Sequence, residues 1–198
     1  MPALSLTDIV NYVSKVGSPK LTHVRDIKNR GDYGPEKDFY RRLRLGIVSH
    51  HKKPGAPKSD LDDILIGLHV KKIGPYTTCV KSHKRFIGAK SMFFFSPPSD
   101  TWTRGTLDVR VNPELGLMIG GNRNIVKLYL NKKPLDKARA DMILVLMKDA
   151  LVEAEDNDIF VVLDVARGKA FSTSTPNMGL LPLVEAEAAS FSVLWASL

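Results

Sequence analysis

Six stretches of the chain place apolar residues at helical spacing, and the segment between the fourth and fifth places them at strand spacing. Leu6, Ile9, Val10 and Val13 share one face of a helix predicted from about Ser5 to Val16, where Ser5 can cap and Asp8 follows three positions later. Gly17 and Pro19 end it, and Leu21 to Ile27 reads as a short extended stretch before a Gly-rich turn. A second helix enters through Pro35, with Glu36 and Asp38 in its first turn, and buries Phe39, Leu43 and Ile47. Pro54, Gly55 and Pro57, between Lys53 and Lys58, mark a linker or mobile loop. Ser59 and Asp62 then offer a capping pair for a short amphipathic helix carrying Leu61, Ile64, Leu65 and Leu68. A further helix begins at Pro75, turning Tyr76, Cys79 or Val80, His83 and Ile87 inward and Lys81, Lys84, Arg85 and Lys90 outward.

From Ser91 the period shortens to that of strands. Met92 to Phe95 is an apolar run bounded by Pro97 and Pro98, and its three phenylalanines read as core. Thr101 to Val111 alternates, and Leu115 to Ile119 and Asn124 to Leu130 flank the hairpin signal Gly120, Gly121, Asn122. Pro134 opens a long helix to about Glu155 with Ile143, Leu144, Met147 and Leu151 buried, and Ile159 to Val165 reads as a buried strand. Ser172 to Thr175 before Pro176 reads as a flexible loop, and a last helix from Leu181 to Ala196 aligns Val184, Ala188, Phe191 and Trp195. The predicted fold is α+β: a mixed, mainly antiparallel sheet of four or five strands with an αβββαβ core, in residues 73–198, plus a basic N-terminal helical subdomain in 1–72.

A chain of 198 residues with 43% hydrophobic and 25% charged residues has the composition of an ordinary globular protein. No run approaches the roughly 20 apolar residues of a membrane span, and the first residues lack the signature of a secretory leader, so a cytoplasmic protein without a membrane partner is expected. The single cysteine, Cys79, fits a reducing compartment. Charge changes the picture more. Residues 1–90 carry 18 Lys and Arg against 8 Asp and Glu, whereas 91–198 carry 11 against 13. A polyanion, DNA or RNA, is one partner such an excess suits, with Arg41, Arg42, Arg44, Lys81, Lys84 and Arg85 as phosphate contacts; solubility alone is the other reading.

The order helix, three strands, helix, strand over about residues 75 to 165, with Pro113-Glu114 opening a strand and Lys127 thirteen residues later, resembles the core of the PD-(D/E)XK nuclease superfamily. The resemblance implies a metal-dependent nuclease in which Glu114 and Lys127 are catalytic, acids hold Mg²⁺, and the lysine assists the attacking water. Ile125 stands where the family has its second acid, so a migrated ligand is required, Asp108 on the preceding strand or Asp136 or Asp141 on the long helix. Without one, the resemblance implies a nuclease-like core that is inactive and needs no cofactor. The same residues also have a purely structural reading, a strand lysine whose stem covers Tyr129 and a turn at Pro113-Glu114. The stretch from Asn112 to Lys148 is also similar to bacterial proteins, a likeness that implies no function.

Other groups are weaker. His50 and His51 are adjacent, diverge by about 100° on a helix and read as surface residues at its end. Cys79 and His83 have the i, i+4 spacing of a thiolate pair, although a buried structural cysteine is the simpler reading. Asn122 and Arg123 form a Gly-flanked turn that could meet an anion. No Walker loop, dinucleotide fingerprint, zinc finger or helix-turn-helix is present. The apolar C-terminal helix with Trp195 supplies an alternative to nucleic-acid binding, a protein-interaction module or homo-oligomer.

Overall fold

A computed structural model describes residues 3–31 and 38–198. The chain opens with β1 (Ala3–Ser5) and α1 (Leu6–Val13), and Ser5 closes a capping box in which its hydroxyl accepts from the Asp8 N–H and the Asp8 carboxylate accepts from the Ser5 N–H. The stretch expected to be extended is instead α2 (Ser18–Lys28). Pro19, read as a stop, sits in the first turn of this helix, where an N–H would have no partner anyway. Helix α3 (Arg41–Lys52) buries Leu43, Ile47 and His50; the predicted entry at Pro35 and Glu36 lies outside the described residues. Lys58–Leu65 forms a 3-10 helix whose cap position is Pro57, so the Ser59 and Asp62 capping pair is not made. Helix α4 (Val70–Ile87) starts five residues before Pro75, with His69 as the capping side chain.

A five-stranded sheet has the order β2 (Met92–Phe95), β5 (Leu115–Ile119), β6 (Asn122–Tyr129), β7 (Ile159–Asp164), β8 (Lys169–Thr173). Its neighbours are antiparallel except β6 and β7, which are joined by the crossover helix α5 (Lys137–Ala150) and run parallel. The β5–β6 turn is Gly120-Gly121, both with positive φ (57° and 81°), as a primed two-residue turn demands. The alternating run Thr101 to Val111 is two strands, not one. Gly105, with φ 57°, folds it into the hairpin β3 (Asp100–Arg104) and β4 (Leu107–Val111), which with β1 makes a separate sheet of order β1-β4-β3. The segment around Ser172, expected as a loop, is the edge strand β8. At the opposite edge, β2 is not core throughout, because Phe93 is 65% exposed.

The molecule is therefore α+β, and the large sheet is covered on both faces. Strand parity divides the residues: Val126, Leu128, Val161 and Leu163 join α3, the 3-10 helix and α4 in one apolar core. Ile125, Tyr129, Phe160 and Val162 join α1, α2, α5, the small sheet and α6 (Leu181–Ser197) in the other. Helix α6 and the turn before it, Met178–Ser197, are long and apolar enough to cross a membrane by length and composition, with mean hydropathy 1.2. The expectation that no stretch reaches that length is thereby corrected. One face of that helix is packed, with Val184, Ala188 and Phe191 in the core and Glu185 and Glu187 paired with Arg104 and Lys20.

Candidate functional site

The two residues singled out by the resemblance, Glu114 and Lys127, do meet. Lys127 on β6 donates from Nζ to Glu114 Oε1 at 2.8 Å and to the Asn112 carbonyl at 3.0 Å, while Glu114 Oε2 accepts the Leu128 N–H at 2.8 Å. Both side chains are nearly covered, 11% and 13% exposed. The ammonium and the carboxylate thus satisfy each other at the start of β5, and the stem of Lys127 is not a solvated cover for Tyr129. Each Glu114 oxygen is already bound to a donor. Asp108 lies on β4 in the other sheet and accepts from Thr103 Oγ1 at 2.7 Å; Asp136 caps α5, and Asp141 pairs with Lys137. Among the described residues, no three His, Cys, Asp or Glu side chains gather where they could hold a metal ion. A hard divalent cation needs several oxygen ligands, so this donor set does not fit Mg²⁺.

The excess of positive charge falls in one layer. Residues 38–90, which build α3, the 3-10 helix and α4 over one face of the sheet, carry twelve Lys and Arg against four Asp, a net +8 that equals the charge of the whole chain. Of the six proposed phosphate contacts, Arg44 pairs with Asp38 and Lys84 with Asp62 at 2.7 Å. Arg42 donates to the carbonyls of Asp63 and Ile66 at the end of the 3-10 helix, and Arg85 donates to Ser82 Oγ. Arg41 and Lys81 are exposed, and neither they nor Arg42 and Arg85 have a carboxylate within ion-pair distance among the described residues.

A groove of about 560 Å³ runs between α3 and the 3-10 helix. Arg41 and Arg42 of α3 and Lys53 just after it line one wall, Asp60 and Asp63 the opposite wall, and Leu45 and Ile64 add apolar surface. Gly46 allows the close approach of the two walls, since a Cβ there would stand 2.5 Å from Ile64 Cγ1. Neither the groove nor its acidic wall was legible in the sequence, because the pairing of α3 with the 3-10 helix has no local signal.

The histidines depart from expectation. His50 is 8% exposed and His83 fully buried, and His51 Nε2 lies 2.9 Å from His83 Nε2 across α3 and α4. Desolvation, with the neighbouring imidazoles, pushes His51 down to about 4 and His83 to about 3, so both are neutral near pH 7. His83 therefore pairs with His51 rather than serving Cys79, whose thiol burial pushes up to about 11; a thiolate at this place is not formed at neutral pH. Arg123, from the Gly-flanked turn, is held by Asp158 and Glu155 and is not open to an anion. Compared with models of known protein families and with curated proteins, the chain matches none.

Proposed function

We propose that this protein binds a polyanion, DNA or RNA being the class that its charge suits, through the layer formed by α3, the 3-10 helix and α4. The observation that carries the reading is the concentration of a net +8 in that one layer, with Arg41, Lys81 and Arg85 exposed and without acidic partners among the described residues. The cations left without carboxylates in this layer repel one another, whereas a phosphate backbone releases counterions to them. The groove beside Arg41 and Lys53 would seat phosphates along α3. Glu114 and Lys127 belong to this reading only as structure: a nuclease-like core whose ion pair clamps two strands and performs no hydrolysis. The test is retention on heparin and a fluorescence titration with DNA and RNA oligonucleotides at several salt concentrations. A log-log slope steeper than about −3 supports the reading; no binding at low salt overturns it.

A second reading, self-association or protein binding through α6, is favoured by one observation. The outward face of that helix is uncharged, and Leu183 and Val193 are 50% and 69% exposed. Under this reading the mass in solution rises with concentration and Val193→Lys abolishes the rise; a concentration-independent monomer removes it.

A further inference from the structure

His51 of α3 and His83 of α4 make a side chain–side chain hydrogen bond, while at the other end of the helix pair Tyr76 donates to the Phe39 carbonyl just before α3. The histidine contact consists of two imidazoles meeting through Nε2 at 2.9 Å, with rings perpendicular and 5.2 Å apart. Such a contact requires one protonated and one bare nitrogen, so it exists only while at least one ring is neutral. The other nitrogen of His83, Nδ1, is buried without a partner among the described residues, as is Nδ1 of His50, the neighbour of His51. A proton arriving on His83 would create a buried imidazolium with no acceptor on that side.

The surroundings offer no relief. From α3 the pair faces His50, with Lys53 acting on His50 in turn; from α4, Lys84 acts on it as well, and Cys79, one turn before His83, stays a neutral thiol. The 3-10 helix contributes Asp60, which acts on His50, and no carboxylate acts on His51 or His83 themselves. Strand β2, which packs on α3, has no titratable side chain; the sheet residues in the core beneath α4 are apolar, and at the end of β7 the Asp164–Arg167 pair acts on Cys79 and not on either imidazole. Phe86 stacks on the other side of His83.

We propose that the His51–His83 contact is a proton-operated latch: it holds α3 to α4 at neutral pH, and protonation of the pair on acidification opens the cationic layer while the core on the other face of the sheet stays closed. The sign follows from the depressed folded-state values. An unfolded or opened chain takes up protons below about 6.5, the closed layer only near 4 and 3, so the latch contributes fully above 6.5 and is lost as pH falls from there. The inference does not depend on polyanion binding.

Hydrogen exchange of the intact protein, corrected for intrinsic rates, tests it. From pH 7 to pH 5 the amides of α3 and α4 should gain at least about tenfold in opening over those of α5 and β7, because each histidine freed to bind a proton shifts the opening equilibrium by about that much or more. His83→Gln, which cannot be protonated at this position, should weaken this pH dependence by about tenfold or more, leaving the share that belongs to His51 and His50. Equal pH responses in both layers of the wild type, or an unchanged response in His83→Gln, would overturn the latch. If that variant does not fold, the wild-type histidine titration followed by NMR decides: His51 and His83 titrating near 6.5 in the closed protein overturns it, and titration well below 5 supports it. Heparin retention is measured separately, so loss of either result leaves the other standing.

Discussion

The two layers that cover the large sheet are built alike and charged differently. Each buries a row of alternate sheet residues under helices, Val126, Leu128 and Val161 on one side and Ile125, Phe160 and Val162 on the other. On the neutral side the charges are matched: Arg30 with Asp8, Lys20 with Glu187, Arg104 with Asp149 and Glu185, Arg123 with Asp158 and Glu155. On the other side four aspartates face twelve cations. Packing a sheet therefore does not require unbalanced charge, and the imbalance of the second layer has to be explained by something outside the fold.

The largest expected effect comes from unbalancing the matched side. Glu114→Ala leaves Lys127 as a nearly buried cation with only the Asn112 carbonyl and side-chain oxygen, and it should cost about 2–4 kcal/mol in urea unfolding. A loss below about 1 kcal/mol would mean that the Asn112 oxygens alone hold the ammonium. Next in size is reversal on the unbalanced side: Arg41→Glu with Lys81→Glu and Arg85→Glu should lower oligonucleotide affinity on the order of 100-fold and flatten the salt slope by about 3, with little change in stability. The smallest effect sharpens the comparison. The same triple reversal at Lys15, Arg25 and Arg110, cations on the neutral side, should leave binding within about twofold, and a comparable loss there would show that net charge rather than the layer governs affinity.

Much of the fold was legible because its signals are local. The capping box at Ser5, the double glycine of the β5–β6 hairpin, the apolar stripe of α5 and the unbroken run of β7 each lie within a few residues. Misreadings arose where one residue serves two roles. Pro19 begins α2 rather than ending what precedes it, Pro75 sits inside α4, and Gly105 turns an alternating run back on itself. Burial that depends on a distant partner carried no sequence signal. His51 and His83 are 32 positions apart, so adjacency to His50 suggested a surface pair where the helices make an interior one. Phe93 shows the converse, an apolar run left exposed because β2 ends its sheet. Of the candidate site, the meeting of Glu114 with Lys127 follows from strand register, since the N–H just before β5 donates to the Val126 carbonyl, whereas its charge-satisfied state depends on contacts with the Leu128 N–H and Asn112 that no local pattern signals.

Strand β1 pairs in parallel with β4, Ala3 against Asp108, so the residues of β1 find their neighbours only once about a hundred further residues exist. During synthesis at about 5–20 residues per second, that delay is on the order of ten seconds. Through it Leu4, Leu6 and Ile9, all fully covered in the finished molecule, have no lasting shelter, and closing so wide a loop is slow. The small sheet is thus a late clasp on a segment made about a hundred residues earlier, and that segment is where a holdase would have work to do.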